Sequence, residues 1–126
     1  MQKTIINSNM APAPIGPYSQ AVKAGNTLYV SGQIALNPQS GELVQGSLTD
    51  ETRQVMKNLE AVLKEAGMSF EQVVKCSIFL MDMNDFAEVN EEYGKSFSNQ
   101  PPARETVQVS GLPKGVRVEI SCIAVG

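Results

Sequence analysis

The 126-residue chain contains no histidine, and that absence removes more chemistry than any other. Ser-His-Asp and Cys-His nucleophilic catalysis, imidazole proton shuttling and His-ligated metals all need a side chain that is missing. Cysteine is nearly as scarce. Cys76 and Cys122 are far apart, form no CxxC arrangement and lie in apolar runs. They make no structural zinc or iron–sulfur site and read as buried, reduced thiols. Charge is thin as well: 18% of residues against about 25% in an average soluble domain. The balance is 10 basic to 13 acidic residues, net −3, with no run of Lys or Arg. Nucleic-acid binding normally rests on a clustered basic footprint, so no nucleic-acid partner is expected. No stretch approaches the roughly 18 consecutive apolar residues of a membrane span. The opening MQKTIINSNMAPAP carries no apolar leader core. The expectation is an untargeted cytosolic protein with no membrane partner.

What is present organises as one domain over residues 1–126, long enough to bury roughly two-thirds of its unfolded surface without disulfides. Thr4-Ile5-Ile6 is a short β-prone piece, followed by a loop, Ala11 to Pro17, too proline-rich for a helix. Tyr18 to Ala24 and Thr27 to Ser31 read as strands around a Gly25-Asn26 turn. The first helix is capped by Thr49, carries Asp50 and Glu51 in its first turn, and stops at Gly67. Its apolar stripe is Val55, Leu59, Val62, Leu63 and Ala66. Residues 73–80 form a β-branched strand with Val74, Cys76, Ile78 and Leu80 on one face. A second helix starts at Asp82 or Asn84, with the stripe Phe86, Val89, Tyr93 and Phe97 and with Asn90 beside it; Gln100-Pro101-Pro102 ends it. The last quarter reads as a hairpin, Arg104 to Ser110 against Val116 to Val125.

Two amphipathic helices and a run of strands give an α+β two-layer sandwich, a mixed sheet with both helices on one face. Period-2 alternation assigns Val107, Val109, Val118, Ile120, Cys122 and Ala124 to the covered face. Arg104, Thr106, Gln108, Glu119 and Ser121 then fall on the other. That second face mixes Glu119 and Ser121 with Ile123 and Val125, which points to burial against neighbouring subunits.

Chemistry has few places to sit. Of three arginines, Arg53 reads as a solvated charge on the first helix. Arg104, entering a strand after Pro101-Pro102-Ala103, is either an edge arginine paired with a nearby carboxylate or a planar fork for a substrate carboxylate. Glu119, in mid-strand, is paired with Arg104, Lys75 or Arg117, metal-bound, or kept for proton transfer. The hairpin register puts Arg104 and Glu119 on the order of 10 Å apart on one face, with room for a small ligand. Tyr18, Asn90 and Ser31-Gly32-Gln33 are weaker candidates; Gly32 permits a close backbone approach.

Five segments are recognisable together: Ile15-Gly16-Pro17-Tyr18-Ser19-Gln20, Ser31-Gly32-Gln33-Ile34, Asp85-Phe86-Ala87-Glu88-Val89-Asn90, Pro102-Ala103-Arg104, and Leu112 to Ile120 (LPKGVRVEI). In this order, spread over essentially the whole chain, they resemble the RidA (YjgF) family. The resemblance implies a chorismate-mutase-like fold assembled as a homotrimer with sites between subunits. It also implies hydrolytic deamination of 2-iminobutanoate and 2-iminopropanoate to 2-oxo acids and ammonia, without a cofactor. Carried across position by position, Arg104 binds the substrate carboxylate, and Tyr18, Ser31, Gly32 and Asn90 line the pocket. Glu119 positions or activates water. Thr106 stands where many relatives have Cys and orients water through its backbone carbonyl. Glu105 departs from the commoner Ser; strand alternation points it away from Arg104. Two other readings stay open: a non-catalytic sensor of small 2-oxo or short carboxylic acids, and a ribonuclease or translation inhibitor, against which the acidic balance and absent His speak.

Overall fold

The computed structural model describes residues 2–126. Six strands and two helices follow one another as β1 (Lys3–Ile6), β2 (Ala21–Ala24), β3 (Thr27–Gln33), α1 (Leu48–Glu65), β4 (Val73–Leu80), α2 (Phe86–Gly94), β5 (Ala103–Gln108) and β6 (Val118–Val125). They build one six-stranded mixed sheet in the order β1-β2-β3-β6-β4-β5. Leu59, Val62, Leu63, Val89 and Tyr93 from the helices pack into one core with Leu28, Ile78, Val118, Ile120 and Cys122 from the strands. Both helices therefore lie on the same face, and the α+β two-layer arrangement expected from the sequence is the one adopted.

Local signals account for most element ends. The first helix begins two residues earlier than expected, because Ser47, in extended backbone, accepts the Asp50 N–H and is the true cap. Thr49 lies inside the first turn and donates its hydroxyl to Glu88 of α2 at 2.8 Å. At the other end Gly67 adopts φ +75°. Its N–H bonds to Lys64 O, and Met68 N–H bonds to Leu63 O, a double closure that needs the left-handed backbone glycine tolerates. The segment from Tyr18 to Ser19 stays irregular, and β2 starts only at Ala21. The second helix is shorter than expected: a single 3-10 turn, Met83–Asp85, capped by Asp82, precedes it, and Phe97 packs from beyond its end. In β4 the pairing shifts between Val73 and Lys75. That bulge turns Val73 inward and leaves Val74 half exposed.

The predicted C-terminal hairpin does not form. β5 pairs in parallel with β4, through α2 as a β-α-β crossover, while β6 inserts between β3 and β4 and is antiparallel to both. Burial explains the choice. β6 presents Val118, Ile120, Cys122 and Ala124, all almost fully buried, and only an interior position covers them. β5 has no comparable inward set and sits at the edge.

This rearrangement reverses the expected facing of β5. Arg104 pairs with Cys76 and Thr106 with Ile78, and both partners point into the core, so Arg104 and Thr106 face the helices. Val107 pairs with Phe79 on the open face and is exposed, not covered. The open face also displays Ile5 and Tyr29 at 53% and 51% exposure, joined by Val22 and Ile123 in one cross-sheet row. Apolar rows of that kind on an uncovered sheet favour contact with another surface.

Candidate functional site

On the helix side of the sheet edge, Arg104 projects from β5 toward α2. Its Nη1 donates to Asn90 Oδ1 at 2.6 Å. The guanidinium carbon lies 5.5 Å from the Phe86 ring centre and 5.1 Å from that of Tyr93, a distance at which aromatic faces attract a cation. Phe86, Asn90 and Tyr93 come from successive turns of α2, so one helix face aims the guanidinium. Phe86 and Tyr93 looked like core stripe in the sequence; their role in holding the arginine needed the β5 pairing to become visible.

Among the described residues Arg104 forms no ion pair, whereas Arg53, Lys75, Lys95 and Arg117 all do. Its remaining donors border a cleft lined by Gly94, Phe97, Pro101 and Pro102. Two hydroxyls in this region, Tyr93 Oη and Thr106 Oγ1, are buried without a hydrogen-bond partner among the described residues. Burial raises the Tyr93 pKa far above the ordinary phenol value, so it stays neutral. The Thr106 hydroxyl is sealed from solvent, which leaves only its backbone to meet a ligand.

Glu119 lies on the opposite side. It pairs with Phe79 on the open face, and its carboxylate backs onto Gly32, where the β3·β6 register shifts between Val30 and Gln33. A Cβ at Gly32 would stand 2.8 Å from Glu119 Cδ and 2.9 Å from its Oε1. Only glycine lets the carboxylate occupy this position. Gly32→Ala is accordingly expected to displace the Glu119 carboxylate while the melting temperature stays within a few degrees of the parent; a crystal structure of the variant and a thermal melt check both.

Tyr18 and Glu119 border a small cleft under the Pro12–Ile15 loop. Tyr18 is half exposed, its Oη accepting the Ile15 N–H at 3.3 Å. Ser31 is occupied structurally: its hydroxyl donates to Ser19 O at 2.6 Å and its N–H to Gln20 O at 2.9 Å. Sequence reasoning passed over Gln20. Buried, it accepts from Ser8 N–H and donates to Ser8, Ala11 and Pro12 carbonyls, fixing the loop that frames Tyr18.

Every partner offered for Glu119 by the sequence is engaged elsewhere. Lys75 meets Glu105 at 2.9 Å, Arg117 meets Glu51 at 2.7 Å, and Arg104 meets Asn90. Burial without a counter-charge pushes the Glu119 carboxyl above the usual value. Glu105 points away from Arg104, as alternation required, and is bonded to Ser77 and Lys75. The Ser77 hydroxyl and then the Lys75 ammonium hold its carboxyl low. Arg53 is not merely solvated: it bridges Asp50 to Glu92 of α2.

The predicted site thus separates into two halves. Arg104, Asn90 and Thr106 face the helix layer, whereas Tyr18, Gly32 and Glu119 face outward from the other side. Within one chain the α-carbons of Arg104 and Glu119 are two strand spacings and three residues apart, about 14 Å, rather than about 10 Å on a shared face. A single copy holds an arginine half and an acidic half on opposite sides of the sheet.

The two-layer α+β fold has solved relatives. The family model described as Endoribonuclease L-PSP matches residues 8–126, and the chain belongs to that family, the YjgF/RidA family. A mouse protein named 2-iminobutanoate/2-iminopropanoate deaminase is 51% identical over 98% of this chain and 91% of its own. A RutC family protein of Pyrococcus horikoshii is 52% identical over 97% of both chains. The crystal structure of a Rid family protein of unknown function from Yersinia pestis superposes with a TM-score of 0.96 at 46% identity, covering 99% of this chain and 100% of that one.

Proposed function

We propose that the protein hydrolyses reactive 2-imino acids, 2-iminobutanoate and 2-iminopropanoate, to the 2-oxo acids and ammonia. It acts as a homotrimer in which the acidic half of one copy closes over the arginine half of the next. The observation that carries this reading is the pair of complementary, unpartnered groups: a guanidinium without a carboxylate and a carboxylate without a cation, on opposite sides of one sheet. Stacking copies brings them together and covers the apolar open face. The deaminase name of the mouse relative supports the same substrate class.

In this mechanism Arg104, steadied by Asn90 and the two rings, grips the substrate carboxylate with its fork. Tyr18 and the Gly32 backbone border the imine. Glu119 takes a proton from a water that attacks the imine carbon, and the nitrogen gains a proton to give a carbinolamine. Glu119 hands that proton to the nitrogen, and collapse of the adduct, with the hydroxyl proton passing to the amine through the same carboxylate, forms the 2-oxo carbonyl and expels ammonia. The Thr106 carbonyl, on an edge strand with unpaired backbone groups, orients the water. An imine hydrolyses slowly unaided, so orientation and proton transfer suffice and no cofactor enters the scheme. Two buried, unbonded thiols fit a reducing cytoplasmic setting. No helix among the described residues is long and apolar enough to cross a membrane.

Adding the protein to a threonine dehydratase reaction tests the proposal. Faster 2-oxobutanoate release than in a protein-free control is expected. Unchanged kinetics with saturable 2-oxobutanoate binding would favour the sensor instead. The ribonuclease reading has neither His nor a basic cluster to draw on.

The pH profile follows from the raised Glu119 carboxyl. A raised value keeps the acid protonated over a wider range, so catalysed turnover fails as pH drops through it, above the ordinary Glu value of about 4.3. Glu119→Gln removes this limb together with most of the rate. For stability the sign is opposite. The contribution of a group with a raised folded pKa is full at low pH and lost as pH rises through that value, so the same variant melts slightly higher at neutral pH. Rate profiles and melts of the two proteins check both statements.

A further inference from the structure

Glu51 is 0% exposed, a carboxylate withdrawn entirely from water in the first turn of α1. Both of its oxygens are used by one residue. Oε2 accepts the backbone N–H of Arg117 at 2.8 Å, and Oε1 accepts Arg117 Nε at 2.7 Å. Arg117 is held from two further directions: Nη2 donates to Gln45 O at 3.3 Å, and the Arg117 carbonyl accepts Met81 N–H at 3.2 Å. Its backbone is thereby tied to the start of α1 and to the end of β4, at the point where β6 begins.

Two residues further on stands Glu119, whose side chain makes no hydrogen bond among the described residues and backs onto Gly32. No side chain among the described residues bonds its carboxylate, so its position follows the β6 backbone, which the pairing of Val118, Glu119 and Ile120 with Leu80, Phe79 and Ile78 holds in register. A small advance drives it into Gly32; a small retreat withdraws it from the cleft. The clamp lies two residues upstream, where it fixes the end of that pairing. A buried ion pair is a costly way to obtain stability, since apolar residues of similar volume often serve as well. What such a pair supplies is a defined geometry, because a carboxylate shared between an N–H and a guanidinium admits one arrangement.

Resting on the hydrolase reading above, we propose that Glu51, acting through Arg117, is a positioning residue for Glu119, setting the placement of the acid at the reacting water. It touches no substrate. The anion-binding half, Arg104 with Asn90, belongs to β5 and α2 and is not part of this clamp.

Three variants in the dehydratase-coupled assay test it: Glu51→Gln, Arg117→Lys, and the apolar double replacement Glu51→Leu with Arg117→Met. Glu51→Gln is expected to lower kcat at least about tenfold with KM within about twofold, since misplacement by an ångström weakens chemistry more than binding. Arg117→Lys, which keeps a cation against Glu51, retains most of kcat. The double variant folds, somewhat less stable for the Arg117 N–H that loses its acceptor, yet is slowed far more than that loss explains, and its melt separates placement from stability. An unchanged kcat in Glu51→Gln, a loss residing in KM alone, or full kcat in the double variant overturns the proposal. If Glu51→Gln does not fold, the double variant decides. The parent and Glu119→Gln measured alongside keep the claims apart: no acceleration by the parent defeats the hydrolase reading, full activity in Glu119→Gln removes Glu119 from the mechanism and the positioning role with it, and a dead Glu119→Gln beside a fully active Glu51→Gln defeats only the positioning role.

Discussion

Arg104→Ala is expected to lower kcat/KM for imino-acid hydrolysis on the order of 10³-fold while leaving the fold intact. The magnitude follows from two charge-assisted hydrogen bonds to the substrate carboxylate, each about 1.5–3 kcal/mol. Structure is spared because β5 is an edge strand and the Arg104 side chain has one hydrogen bond, to Asn90. Arg104→Lys restores little. An ammonium cannot offer a planar fork, and it fits the Phe86 and Tyr93 faces less well than a guanidinium does. Steady-state kinetics with a thermal melt read the result. Near-normal turnover in Arg104→Ala would remove the carboxylate grip from the mechanism.

The second large effect is a recovery. Arg104→Ala and Glu119→Gln are each nearly inactive alone, but co-assembled from equal amounts of unfolded chains they regain about one quarter of wild-type activity. That fraction is the chance that an intact Arg104 half meets an intact Glu119 half across an interface. The opposite facing of the two groups makes this expectation firm, because no bending of one chain brings them through the sheet. The experiment needs the hybrids separated by charge and shown to form. Hybrids that form and stay inactive would mean that both residues serve one chain's site, against the geometry of β5 and β6.

Legibility in the sequence followed the range of the interactions involved. The caps, the Gly67 stop, the α1 stripe and the Gly25-Asn26 turn were readable because each depends on a few neighbouring residues. The two-residue error at the start of α1 has the same origin. Ser47 and Thr49 are both competent caps, and only the extended backbone at Ser47 distinguishes them. Strand partnership is different in kind. β5 and β6 are adjacent in sequence and joined by a short loop, so a hairpin was the local expectation. The competition for the sheet interior, won by the strand with four buried apolar residues, is settled by the whole core.

The site inherits that division. The sequence by itself determined which chemistry is available: no imidazole, no metal set, three arginines, and five segments in an order that marks the family. It also identified Arg104 and Glu119 as the residues to watch, and Gly32 as a place of close approach. Only the tertiary structure decided that Arg104 turns to the helices and Glu119 to the open face, and that Lys75 and Arg117 are engaged elsewhere. A strand's alternation gives two faces without saying which is inside; pairing with a neighbour already anchored in the core makes that choice, and Cys76 made it for Arg104.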